Sequence, residues 1–286
     1  MKSSIHFSRI LFCSIFLISF RLSLVTAAYA EPPERIISLA PNITEILFVL
    51  GLGDRVVGVT NFCDHPAEAK KKQKIGGMSN PSLEGVLSLK PDIVILTTDG
   101  NPKEFEERLH SLKIRTYVFK ARRLSELPQA VREMGLSLDV KERANSFADK
   151  IETTVNRLKT KRHERRIINS QGKRVLFIIW PEPLIVAGPG TAVDDAITLL
   201  GGKNLASKTR SPYPKYSMEE IIRQSPDVII IGGGHANVRE ISSKLLKRLR
   251  NVPAVKNEKV FYVGDGLYRL GPRVIEGIEE MSECLK

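Results

Sequence analysis

Cys63, Asp64 and His65 put a thiol, a carboxylate and an imidazole on consecutive residues, the group types from which a nucleophile, an orienting acid and a base can be assembled. Neighbours in an extended segment point to opposite sides, so the tripeptide alone cannot form a hydrogen-bonded relay. No catalytic residue is assigned, and an α/β enzyme acting at Cys63 or His65 stands only as the alternative of another class. Gly232-Gly233-Gly234-His235 lacks the GxGxxG spacing that cradles phosphate, and the chain has neither GxxxxGKS nor GxxxxGKT. His65, His163 and His235 show no metal-ligand spacing, so no metal site is expected. What remains is a set of large side chains at predicted loops and strand ends: Phe62, Met78, Tyr213, Tyr216 and Tyr268, with Trp180 closing an apolar strand where core packing is its first reading. Such a set suits a large, partly flat ligand that is held without covalent chemistry.

Side chains so far apart in sequence need a scaffold, and the scaffold repeats. Ser82 to Leu96 reads SLEGVLSLKPDIVIL, and Ser217 to Ile231 reads SMEEIIRQSPDVIII. Ser, Glu, Pro, Asp and one Ile are identical, and most other positions exchange one apolar residue for another. Each copy holds a Ser that can cap a helix, an acid in the first turn, a short amphipathic helix, a Pro-Asp break and a buried strand. A second match in the same order, EILFVLG at Glu45 to Gly51 and DAITLLG at Asp195 to Gly201, makes duplication of a lobe the economical reading.

Taken in order, Arg35 to Ala40, Val56 to Thr60, the strand of the first repeat and Thr116 to Phe119 read as strands separated by helices. Asn42 with Glu45 resembles a capping box at the start of the first of these helices. From Asp139 to about Ile168 there is no Gly or Pro, and Ala144, Phe147, Ala148, Ile151, Val155 and Leu158 recur at spacings of three and four. That pattern predicts one long amphipathic helix between the lobes. The expected organisation is a leader at 1–30, an N-terminal lobe at 31–138, a bridging helix at 139–172 and a C-terminal lobe at 173–286. The fold class is α/β: two similar lobes with mostly parallel sheets, joined by one long bridging helix, with a ligand cleft between the lobes. In open parallel sheets the crevice lies beyond the carboxyl ends of the strands, here Ser38 to Asn42, Asn61 to His65, Thr97 to Gly100, Trp180 to Pro183, Gly232 to His235 and Asp265 to Arg269.

Lys2 and Arg9 before an apolar run, with Ala28-Tyr29-Ala30 at its end, read as an export signal, so the mature chain is expected to begin at Glu31 in the periplasm. Arg21 interrupts the apolar core, which leaves an uncleaved anchor as the alternative. Loss of Lys2, Arg9 and Arg21, with no acid, lowers the net charge from +12 to +9. The densest basic run, KTKRHERR at Lys159 to Arg166, has no interleaved aromatic residue and reads as a solvated helix face rather than a nucleic-acid surface. Cys63 and Cys284 fall in different lobes and are expected to be free thiols.

The combination RIISLAPNITEILFVLG, IGGMSNPSLEGVLSLKPDIVIL, one bridging helix and SMEEIIRQSPDVIII resembles the periplasmic binding proteins that deliver cobalamin, haem and iron siderophores to ABC importers, above all the cobalamin-binding branch. The resemblance covers essentially the whole mature chain. It implies a monomer with no cofactor of its own, a corrinoid as transported ligand and a dimeric permease of the inner membrane as partner, with a haem or ferric-siderophore carrier as the alternative. By resemblance, Glu84 and Glu219 are the acids that dock to the permease. Phe62, Met78, Tyr213, Asp265, Gly266, Leu267, Tyr268 and Arg269 fall at ligand-contact positions. Tyr213, Met78 and Thr97 stand where the cobalamin branch has tryptophans, and Leu200 replaces the disulfide partner of Cys284. For the siderophore alternative, Arg269, Arg273 and Lys215 would make a basic cleft.

Overall fold

The computed structural model describes residues 31–166, 172–234 and 237–286, with the backbone alone at 161–166. The leader, the end of the bridging stretch, His235, and the side chains of His163 and of most of the basic run lie outside the described residues. Residues 33–286 form one compact unit, within which two sheets are built.

The N-terminal lobe runs β1 (Ile36–Ser38), α1 (Pro41–Val49), β2 (Val56–Val59), β3 (Gln73–Lys74), α2 (Leu83–Ser88), β4 (Ile93–Thr97), α3 (Lys103–Ser111), β5 (Thr116–Phe119) and α4 (Leu127–Ser137). Its strands are all parallel, in the order β3-β2-β1-β4-β5. Helix α1 starts one residue before the expected capping box, at Pro41, with Ala40 as N-cap and no side-chain cap bond. Proline at the first helical position has its φ preset and no N–H to satisfy, so the cap is dispensable. Glu45 is thereby released for another partner.

Helix α5 (Lys141–Arg166) leads to the C-terminal lobe. That lobe comprises β6 (Arg174–Pro181), β7 (Leu184–Val186), α6 (Ala192–Leu199), β8 (Lys203–Asn204), α7 (Met218–Gln224), β9 (Val228–Gly232), α8 (Val238–Arg248), α9 (Pro253–Lys256), β10 (Val260–Val263) and α10 (Val274–Cys284). Its order is β10-β9-β6-β7, with β8 beside β6; only the β6–β7 hairpin is antiparallel.

The sheets bury alternate residues on opposite faces, as a period of two requires. Ile93 and Ile95, like Val228 and Ile230, enter one core shared by both lobes, which also takes Ala144, Ala148 and Ile151 of α5. Val94 and Leu96 enter an outer core of the N-terminal lobe, and Ile229 and Ile231 an outer core of the C-terminal lobe. At Gly135 of α4, an added Cβ would lie 2.1 Å from the Cβ of Ala144, so glycine is what lets α5 lie close against α4.

The Pro-Asp break is the same joint in both lobes. Asp92 accepts from the backbone N–H of Arg35 at 2.8 Å, and Asp227 from that of Arg174 at 2.8 Å, each tying a strand start to its neighbour. The two guanidiniums then donate to the ends of the repeat helices, Arg35 to the Leu89 carbonyl at 2.7 Å and Arg174 to that of Gln224 at 3.2 Å. Just before each proline the chain takes a left-handed conformation, φ 45° at Lys90 and 48° at Ser225.

Candidate ligand cleft between the lobes

The loops at the carboxyl ends of the strands meet across the lobes through polar side chains. The Tyr213 hydroxyl donates to Asp99 at 2.7 Å, Arg269 donates to Asp64 at 2.6 Å, and Asn42 donates to the Leu270 carbonyl at 3.4 Å. Deeper in the structure, Arg273 clamps Glu45 with two bonds of 2.6 and 3.0 Å and also donates to Asp265 at 2.6 Å. Arg123 and the backbone N–H of Leu124 both donate to Asp195, at 2.6 and 3.0 Å.

The loop after β2 turns its side chains alternately in and out. Cys63 is fully buried, and its sulfur lies 3.1 Å from the hydroxyls of both Thr44 and Thr60. Phe62 stands 51 % exposed, and Asp64 faces Arg269. Burial by itself would raise the Asp64 carboxyl, but hydrogen bonds from Arg269 and His65 overcome this and hold it at about 2. Contrary to the expectation for neighbours in an extended segment, Asp64 and His65 do bond to each other, at 3.2 Å, while the Cys63 thiol is turned to Thr44 and Thr60. Cys284 is likewise a buried free thiol.

Asn101 fastens two strand ends and the Met78 loop at once. Its side chain accepts from the Thr97 N–H at 2.8 Å and donates to the carbonyls of Leu39 at 3.0 Å and Met78 at 2.8 Å. Beside it, Gly100 at φ 120° lies under Met78, whose methyl would be 2.4 Å from an added Cβ. On the opposite lobe, Tyr268 lies over the glycine loop: a Cβ on Gly232 would meet its ring at 2.7 Å, and the Gly234 N–H donates to its hydroxyl at 3.0 Å. Burial pushes the Tyr268 phenol up to about 12. Burial and then the charge of Asp99 push the Tyr213 phenol far above its usual range.

Most of the expected ligand residues are brought to this region, with corrections. Phe62, Met78, Tyr213, Tyr268 and Arg269 lie on the facing loops, and half-buried Trp180 closes β6. Leu267 is fully buried in the shared core, so its side chain cannot meet a ligand. Asp265 is 6 % exposed and is occupied in holding Arg269 and Arg273. Gly266 has no room for a side chain, because its Cβ would meet the Arg273 carbonyl at 2.7 Å. Tyr216 packs against the outer core of the C-terminal lobe, its hydroxyl 2.6 Å from Gln224.

The arginines on which a basic cleft for the siderophore alternative would draw are paired with acids. Arg269 is paired with Asp64 and Asp265, Arg273 with Glu45 and Asp265, and Arg122 with Asp99 at 3.5 Å. Lys215 is exposed, on a segment bridged to Ile185. Glu45 reads from the sequence only as a cap and Asp64 only as part of the Cys63–His65 tripeptide; their pairing across the lobes, and the roles of Asp99, Asp195 and Asn101, are not written in the local sequence. Their partners come from distant segments, and only the NP dipeptide after Gly100 hinted at a structured turn.

Glu84 and Glu219 are exposed in the first turns of α2 and α7. Ser82 accepts from the Gly85 N–H at 3.0 Å and Ser217 from the Glu220 N–H at 3.1 Å, so both repeat helices are capped as expected. The backbone N–H of Glu219 and the Ser217 hydroxyl hold the Glu219 carboxyl below its usual range.

Known proteins share this fold. The family described as periplasmic binding protein matches residues 36–267. A vitamin B12-binding protein of Pectobacterium carotovorum is 30 % identical over 92 % of this chain and 92 % of its own length, and one of Yersinia pestis is 28 % identical over 92 % and 89 %. Among solved structures, a periplasmic vitamin B12 binding protein of Vibrio cholerae superposes with TM-score 0.76 at 26 % identity, covering 89 % of this chain and 97 % of its own. A periplasmic heme-binding protein from Roseiflexus superposes with TM-score 0.78 at 28 % identity, covering 88 % and 97 %.

Proposed function

Because the chain belongs to the periplasmic binding protein family, we propose that it is the solute-binding component of an ABC importer, carrying vitamin B12 or a related corrinoid between its lobes to a dimeric permease. Its curated relatives named for vitamin B12 support the ligand class. The observation that carries the choice is the pairing of the arginines. A corrinoid is rimmed by neutral carboxamides, which both donate and accept hydrogen bonds, whereas haem brings two propionates and many ferric siderophores are anionic. An anion entering this cleft would have to separate Arg269 from Asp64 or Arg122 from Asp99, leaving a partly desolvated carboxylate without its cation. Carboxamides can bond to such pairs without breaking them, while Phe62, Met78 and Tyr213 supply apolar area for the ring.

A haem carrier is the second reading, favoured by the heme-binding neighbour of similar fold. It would call for an axial ligand to iron, and Tyr213 is poorly disposed for that role: its proton is kept by burial and by Asp99, to which it donates. The corrinoid is cargo rather than cofactor, and no catalytic step belongs to this reading. Residues 1–30 direct export, and the mature monomer starts at Glu31, which N-terminal sequencing of the secreted chain checks. Glu84 and Glu219 dock one to each permease subunit.

Calorimetric titration of the mature protein with cyanocobalamin, haemin and ferric enterobactin tests the ligand. Cyanocobalamin alone should bind, and Phe62→Ala or Tyr213→Ala should weaken it by about tenfold, the loss of one aromatic contact. Absence of corrinoid binding at micromolar concentrations would falsify the reading. Glu84→Ala with Glu219→Ala should leave ligand affinity intact and abolish coupling to the transporter; a fall in ligand affinity would place the acids in the cleft instead.

A further inference from the structure

Six large apolar side chains stand exposed among the described residues: Val49, Phe62, Leu87, Leu112, Leu136 and Ile222. Two of them, Leu87 at 40 % and Ile222 at 53 %, occupy the same position in the two copies of the repeat, on α2 and α7. By contrast, the counterpart of Val49 in the second matched segment is Leu199, which is buried. An exposed leucine on its own needs no explanation. Its recurrence at the equivalent place on two lobes whose neighbouring side chains have diverged does.

The geometry of the helices pairs this exposure with charge. On α2, Leu83 and Val86 pack into the outer core of the N-terminal lobe, and on α7, Met218 and Ile221 pack into that of the C-terminal lobe. Glu84 with Leu87, and Glu219 with Ile222, lie on the exposed faces, three residues apart and therefore adjacent along one stripe. Each lobe thus presents one carboxylate and one branched aliphatic side chain on an exposed face; in the C-terminal lobe Glu219 also accepts from its own N–H and from Ser217, and the neighbouring Arg223 is already paired with Glu220.

We propose that Leu87 and Ile222 are the apolar anchors of the permease contact. Each seats in an apolar hollow beside the basic group that receives the neighbouring Glu84 or Glu219. Two near-identical stripes fit a partner with two equivalent sockets, a two-fold symmetric dimer. An exposed ion pair contributes little in water, whereas an apolar contact beside it excludes solvent and strengthens it, so the acids and the anchors work as a unit. The partner is identified by complementarity: an acidic, apolar stripe selects a basic, apolar socket. This proposal rests on the importer reading above.

The test titrates the full mature chain, with and without cyanocobalamin, against the corrinoid permease of its own organism in lipid nanodiscs. Leu87→Ser with Ile222→Ser should weaken association by about tenfold or more, and should do so also at high salt, where the ion pairs are screened. Cyanocobalamin affinity and the thermal midpoint should be unchanged, and Leu87→Met with Ile222→Leu should restore association. Glu84→Ala with Glu219→Ala should flatten the salt dependence instead. Association unchanged in the serine pair overturns the proposal, and, with Leu87→Ser and Ile222→Ser made separately, a loss confined to one of the two overturns the two-socket form. Association without cyanocobalamin binding leaves the anchors standing and replaces the ligand reading, whereas a wild-type chain that does not associate overturns the importer reading and the anchors together. Sedimentation that reveals a dimer of the wild type, lost in the serine pair, makes a second copy the occupant and also overturns it.

Discussion

The two lobes agree where they face outward and differ where they face each other. Ser82 and Ser217 cap equivalent helices, Asp92 and Asp227 tie equivalent strands, and Lys90 and Ser225 take the same left-handed turn. Across the cleft, however, the N-terminal lobe offers Glu45, Asp64 and Asp99 to the C-terminal lobe's Arg273, Arg269 and Tyr213. The N-terminal sheet is wholly parallel, while the C-terminal sheet closes with the β6–β7 hairpin. Agreement of the joints together with difference of the loops separates two kinds of constraint. A backbone corner admits few solutions and is kept in both copies, whereas opposing loops are free to become complementary to each other and to a ligand.

Variants can break or sharpen this contrast. The largest effect is expected at the inter-lobe clamp. Arg273→Ala leaves Glu45, whose side chain is 4 % exposed, buried without its cation, and leaves Asp265, 8 % exposed, with Arg269 alone. Urea unfolding should show a loss of about 3–5 kcal/mol. The within-lobe joint should be gentler: Arg174→Ala removes a pair whose partners are 40 % and 39 % exposed, for about 1 kcal/mol. If the two losses were equal, the contrast between clamp and joint would fail.

The helix caps probe the symmetry itself. Ser82→Ala and Ser217→Ala should each cost about 1 kcal/mol in thermal or urea unfolding, because the same backbone donor is orphaned in each lobe. A clear inequality between them would mean that the repeat is not equivalent in energy. At the joints, Lys90→Gly and Ser225→Gly should each stabilise by about 0.5 kcal/mol, the left-handed strain relieved less the added freedom of the unfolded chain.

The smallest effect concerns acid. Asp64, held at about 2 in the folded protein against 3.8 as its ordinary value, binds its proton more readily when unfolded. Its contribution is complete above about pH 4, declines as the pH falls toward 2 and is lost below that. Asp64 is partly exposed, so solvent screening keeps this term small. A thermal midpoint followed from pH 5 to pH 2 should fall less steeply in Asp64→Asn than in the wild type.

The sequence by itself determined the scaffold. The alternation of apolar residues, the capping serines, the Pro-Asp breaks and a long stretch without Gly or Pro are local signals, and each acts within a few residues of where it is written. The expected capping box at Asn42 failed for an equally local reason, since Pro41 already starts the helix. The tertiary structure alone decided the character of the cleft. Whether Arg269 and Arg273 are free cations or neutralised ones depends on Asp64 and Glu45, more than two hundred residues away in the chain. It likewise decided that Leu267 belongs to the core and that Leu87 and Ile222 stay exposed. Periodicity tells which face of an element is apolar, but burial and charge pairing are properties of what packs against that face, and that is settled only when the lobes come together.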